Sequence, residues 1–79
     1  MVETAGDLPQ IDPITGAEAD IRLIQPFQAR KEYLCPRCLS AINAREAHYV
    51  VVPISNADLR RHWHKTCLLW ELKHGGRKR

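Results

Sequence analysis

Seventy-nine residues with a net charge of +3 allow at most one small domain. No run of about 18 apolar residues is present, so neither a membrane span nor a membrane partner is expected. Three cysteines, an odd number, with no secretory signal ahead of them, argue against a disulfide framework and for reduced thiols in a cytoplasmic or nucleoid-associated protein.

Charge is unevenly placed along the chain. Residues 1–20 carry Glu3, Asp7, Asp12, Glu18 and Asp20 and no Lys or Arg, whereas all twelve basic residues follow them against only four further acidic ones. With Gly6, Pro9, Pro13 and Gly16 and no sustained periodicity, this acidic leader is expected to be disordered, because it cannot offset its ordering entropy by burial. It reads as a solubilising tail, or as a segment that folds back and competes with a polyanion. Residues 21–31 form a linker in which Ile21, Leu23, Ile24 and Phe27 make an apolar island. Leu23, Ile24 and Phe27 are expected to pack over a neighbouring sheet, the alternative being a linear motif that pairs with another protein's strand edge. Pro26 limits the segment to an edge or irregular conformation.

The foldable unit is 32–74. Tyr33 and Leu34 lead into Cys35-Pro36-Arg37-Cys38, where Pro36 fixes a backbone angle suited to a metal-binding turn. Asn43 to Glu46 is polar and should reverse the chain into a β-branched and aromatic strand from Ala47 to Ile54. Ser55, Asn56 and Asp58 have turn chemistry, Arg60 to Trp63 reads as extended, and a helix is predicted from Lys65 to His74. Gly75-Gly76 would cap that helix, Leu68, Leu69 and Leu72 would form its core face, and a basic tail, 75–79, would end the chain.

Cys35, Cys38, His64 and Cys67 form two pairs, C-x2-C and H-x2-C, 25 residues apart. Each pair can place two ligands on one tetrahedral ion, which makes the set a structural zinc site. A domain of about 40 residues needs such a staple, because its own core is too small. His64 is preferred over His62, His48 and His74, since His64 and Cys67 share a helical face whereas His62 would need a four-residue gap. His62 is expected on the same side as His64, as a group that supports the ligands or substitutes weakly for one. His48 reads as a surface histidine in a strand. The resulting fold class is a small zinc-stabilised α+β finger of treble-clef type: a zinc knuckle, a β-hairpin and a C-terminal helix behind the leader.

CPRC, a strand, and then RRHWHKTC resemble the zinc finger of poly(ADP-ribose) polymerases over residues 34–68, and also the first half of a LIM finger, whose spacers are shorter. The pattern is closer still to a group of short actinobacterial proteins with a CPGC-like knuckle, a valine-rich strand and an RRHWH-x2-C segment, which are commonly labelled ATP/GTP-binding. No G-x4-G-K-[ST] loop is present to wrap a phosphate, and Gly75-Gly76 follow a helix, so no nucleotide is expected.

Three thiolates and an imidazole fill a tetrahedron, which argues against catalysis at the metal. Binding is the remaining class. Arg60, Arg61, Lys65, Arg77, Lys78 and Arg79 form a basic set suited to a DNA or RNA backbone, with Trp63 and Tyr49 nearby. Trp63 itself is expected in the core. The competing reading is an adaptor that docks on a larger machine such as RNA polymerase, the ribosome or a repair enzyme through Trp70, the apolar island and the leader.

Overall fold

The computed structural model describes residues 3–74. Alternating burial defines its main sheet. In β2 (Ala19–Ile24), Ala19 and Ile21 are buried while Asp20 and Arg22 are half-buried and form an ion pair at 2.9 Å. β5 (His48–Pro53) lies antiparallel to it in a six-residue register from Ala19↔Pro53 to Ile24↔His48. β1 (Glu3–Thr4) adds outside β2, and β6 (Arg61–Trp63) adds outside β5, giving the order β1-β2-β5-β6 with every pair antiparallel. β5 is therefore central, in keeping with its run of β-branched residues.

A separate two-stranded hairpin, β3 (Tyr33–Leu34) and β4 (Ala41–Ile42), encloses the CPRC turn, and α1 (Lys65–His74) follows β6 after one residue. Two 3-10 turns cover Pro26–Gln28 and Ala57–Leu59. The side chain of Asn56 accepts from the Asp58 N–H at 3.1 Å, which starts the second of them. The reversal after β4 passes through Arg45, at φ 66°. The strand, turn and helix expectations for residues 32–74 agree with these elements to within a residue or two. The Gly75-Gly76 cap lies outside the described residues.

Ile21, Ile42, Val51, Trp63 and Leu68 are at most 1% exposed and come together from β2, β4, β5, β6 and α1. Each large side chain buried so fully stabilises the fold by about 1.5–3 kcal/mol. Trp63 is thus a core residue, as expected. Leu69 is not: it is exposed, and the helix face turned to the core is Leu68 with half-buried Cys67 and Leu72, because neighbours in a helix diverge by about 100° while i and i+4 align.

The acidic leader is ordered over its described residues, contrary to the composition argument. Ala5 and Ala19 are buried in the core, and polar side chains supply the bonds that apolar ones could not. The Gln10 amide donates to the carbonyls of Ala5 and Leu8 at 2.8 and 2.9 Å and accepts the Ile21 N–H at 2.9 Å. Asp12, 1% exposed, accepts the N–H groups of Ile14 and Thr15 and meets Arg61 Nη1 at 2.9 Å. β2 crosses the expected boundary at residue 20, and its pairing with β5 puts residues of the leader, the linker and the 32–74 unit in one sheet. In the apolar island, Ile21 is the buried member; Leu23 and Ile24 are half-buried, and Phe27 is 71% exposed instead of covering the sheet.

Candidate metal centre

The hairpin, the sheet and the helix each deliver part of one cluster. The Cys35 N–H bonds the Ser40 carbonyl and the Leu39 N–H bonds the Cys35 carbonyl, which folds CPRC into a tight turn. Leu39 takes a left-handed backbone, φ 59°, to close it. β6 then carries the chain to His64, and the first turn of α1 places Cys67 one turn beyond it, with the Leu68 N–H bonded to the His64 carbonyl. Arg37 ties the turn to the helix: its Nε lies 3.3 Å from Glu71, and its guanidinium sits 4.0 Å above the Trp70 ring.

The donor atoms of Cys35, Cys38, His64 and Cys67 all lie within 4.8 Å of one another, so the four can hold one metal ion. His64 Nδ1 is 3.3 Å from Cys38 Sγ and 3.9 Å from Cys67 Sγ, while Nε2 is 3.2 Å from the Ala41 carbonyl. That carbonyl can only accept, so Nε2 carries the proton and Nδ1 presents its lone pair to the cluster, the tautomer a metal ligand requires. Sulfur and nitrogen ligands at about 2.3 and 2.0 Å from a tetrahedral ion stand roughly 3.5–3.8 Å apart. The separations fit that spacing, and a three-sulfur, one-nitrogen set fits a soft or borderline ion.

The electrostatics are those of a site that gathers negative charge. Burial pushes the Cys35 thiol up, but the N–H groups of Cys38, His64 and Arg37 and the His64 ring outweigh it and bring it down to about 6. Cys38 is lowered, chiefly by the Ser40 N–H. Cys67 is pushed up to about 11 by burial and by the two neighbouring cysteines. His64 is raised: burial opposes its charge, and Cys35 and Cys38 more than compensate.

Of the other histidines, neither His62 nor His48 joins the cluster. His62 stacks on Tyr33 with ring centroids 3.5 Å apart, and its Nδ1 lies 2.8 Å from His48 Nε2. His48 is fully buried, not on the surface, with its Nδ1 2.8 Å from the Glu46 carbonyl. Because that carbonyl accepts, His48 donates to it from Nδ1, and the tautomer with its proton there accepts at Nε2 from His62 Nδ1. Sequence reading missed this ladder. Pairing Val50 with His62 sets His48 diagonal to His62 on one face, so the strand register contained the signal. His62 is held down at about 4 by burial, His48 and Arg60. His74 is exposed, with its ring 4.3 Å from that of Trp70.

The expected nucleic-acid residues are only partly drawn together. Arg60 and Arg61 line an open groove with Tyr33, Leu34, Pro36 and His62, while exposed Lys65 starts α1. Arg61 is committed to Asp12, and Arg60 donates to the Ala57 carbonyl at 3.2 Å. Arg77, Lys78 and Arg79 lie outside the described residues. No helix among the described residues is long and apolar enough to cross a membrane.

The chain is similar to uncharacterised proteins of Mycobacterium bovis (Mb1356) and Mycobacterium tuberculosis (Rv1322), each 39% identical over 56 residues. The match takes in 66% of this chain and 57% of theirs, so the chain spans little more than half the length of these relatives. No solved structure matches it. The sequence model of the Rv1322 family covers residues 11–71, from the leader through every member of the cysteine–histidine cluster and into α1, and the chain belongs to that family.

Proposed function

We propose that the chain is a non-enzymatic module built around one structural zinc ion, arranged as a treble-clef-type finger, and that it binds nucleic acid. The convergence of three sulfurs and one imidazole nitrogen carries the metal-binding part of this reading. Four protein ligands complete a tetrahedral shell and leave no position for a substrate, and three thiolates favour zinc over harder ions. The knuckle, β3–β4 and the first turn of α1 supply the finger's parts, and its thiolates suit a reducing compartment such as the cytoplasm. For the partner, Arg60, Lys65 and the Arg77-Lys78-Arg79 tail supply cations for a DNA or RNA backbone, and Arg61 contributes less because Asp12 already holds it.

The test is binding of the zinc-loaded protein to duplex and single-stranded oligonucleotides across a salt series. Four or five duplex phosphate contacts give a log–log slope of about −3.6 to −4.5, at about 0.9 per contact. Arg60→Glu lowers affinity for every sequence alike while leaving the zinc in place. A salt-independent or absent interaction overturns the nucleic-acid part. One observation favours the adaptor reading instead: Trp70, 45% exposed, is held under Arg37 beside exposed Leu69, a rigid aromatic surface of the kind found at protein interfaces. Nuclease-resistant recovery of a partner protein, lost on Trp70→Ala, supports that reading.

A further inference from the structure

A second aromatic and basic surface shares no residue with the groove that Arg60 and Arg61 line. Phe27, Ala29, Arg30, Ala44 and Arg45 line an open groove of about 410 Å³, within the range of small-ligand sites of about 300–1,000 Å³. Phe27 is the most exposed large apolar side chain among the described residues, at 71%. Arg30 and Arg45 are exposed, and neither has an ion pair among the described residues.

The groove is preformed. Phe27 sits in the middle of the 3-10 turn Pro26–Gln28, closed by reciprocal Gln25–Gln28 capping. The N–H of Arg45 bonds the Ala29 carbonyl at 2.6 Å, locking the reversal after β4 against this turn. Arg45 holds a left-handed backbone, φ 66°, which disfavours non-glycine residues, so the surrounding bonds fix its position. A flat hydrophobic ring left uncovered in a groove it shares with two guanidinium groups that form no ion pair among the described residues is the complement of a base with its neighbouring phosphates.

We propose that this groove binds single-stranded nucleic acid, with one unstacked base on Phe27 and the adjoining phosphates on Arg30 and Arg45. The inference rests on the nucleic-acid reading above and assigns it a site. An acidic peptide matches the arginines and leaves the ring without a planar partner, so the single strand is the better complement.

The experiment uses the full zinc-loaded chain with labelled DNA and RNA single strands of about 12 nucleotides, the same sequence as duplex, and polyglutamate as a base-free polyanion. Phe27→Ala weakens single-strand binding by about 5- to 150-fold, the range for one base–aromatic stack, and Phe27→Trp retains it. Arg45→Asn tolerates the left-handed backbone while removing the charge, and reduces the single-strand salt slope by about 0.7. Zinc content and circular dichroism stay unchanged, because Phe27 and Arg45 lie outside the core. If Phe27→Ala binds like the parent protein while Arg60→Glu loses affinity, the groove is not the site and the nucleic-acid reading survives. If the parent protein binds no oligonucleotide, both fall. If polyglutamate displaces the single strand charge for charge, base stacking is overturned.

Discussion

Removing the Asp12 carboxylate tests whether the leader is folded onto the rest of the chain. In Asp12→Ala the N–H groups of Ile14 and Thr15, at 2.8 and 3.4 Å from Oδ1, lose their acceptor, and Arg61 loses its partner. Hydrogen bonds to a charged acceptor contribute about 1.5–3 kcal/mol, the longer of the two less. The Arg61 pair adds at most about 1 kcal/mol, since that side chain is one-third exposed and can return to water. The loss is therefore about 2–4 kcal/mol, a large fraction of the 5–15 kcal/mol typical of a whole domain. Asp12→Asn keeps an oxygen for the two N–H groups and gives up only the charge, costing about 1 kcal/mol. At roughly 4–8 °C per kcal/mol for a chain of this size, the alanine variant melts at least about 8 °C lower and the asparagine variant falls between it and the parent. Thermal unfolding of zinc-loaded protein, with hydrogen exchange at Ala5 and Ala19, whose amides bond the Ile21 and Gln10 carbonyls, provides the measurement. An unchanged melting point together with unchanged exchange at those two amides refutes the docked leader.

His64→Ala is expected to lose the metal at neutral pH and His62→Ala to keep it, as read by native mass spectrometry; the reverse result moves the ligand to β6. Chelation is expected to unfold the region around Cys35, Cys38, His64 and Cys67, followed by circular dichroism, because binding free energy in so small a site is folding free energy. Zinc added to metal-free protein at pH 7.5 should release a proton from Cys67 and little from Cys35, since Cys35, at about 6, is already largely thiolate and Cys67, at about 11, is not. Affinity then falls as pH falls, most steeply below about 6, where Cys35 also competes for protons. His62, held at about 4 in the folded chain against 6.5 unfolded, binds its proton more readily when unfolded, so its contribution is complete above pH 6.5 and is lost as pH falls toward 4. Comparing His62→Gln with the parent in that window isolates this term from metal release, and equal pH dependence refutes it.

The cluster and the elements around it were legible because their signals are local. A two-residue gap between ligands, a β-branched run and a helix opening within an H-x2-C pair each declare themselves within a few residues. The leader was not legible, since apolar content was the wrong measure for it: Gln10 holds it to Ile21 in β2 and Asp12 holds it to Arg61, 49 residues on, and composition records no such partners. The sequence Asp12-Pro13-Ile14-Thr15 did carry a local turn signal, the short carboxylate that caps its own following amides. Phe27 failed for the opposite reason. Its hydrophobicity implied burial, but Pro26 begins a tight turn that directs the ring outward while Ile21, six residues earlier, fills the core.

β5 is central only because β6 covers one of its edges, and β6 leads directly to His64. An ion that fixes His64 therefore also guards a sheet edge. When the ion leaves and β6 detaches, the backbone of His48–Pro53, with three consecutive valines, acquires a free edge of the kind that templates strand addition. If the proposed ion holds β6 in place, metal-free copies of this chain self-associate through the β5 edge more readily than loaded ones, a difference that light scattering with and without chelator reads directly.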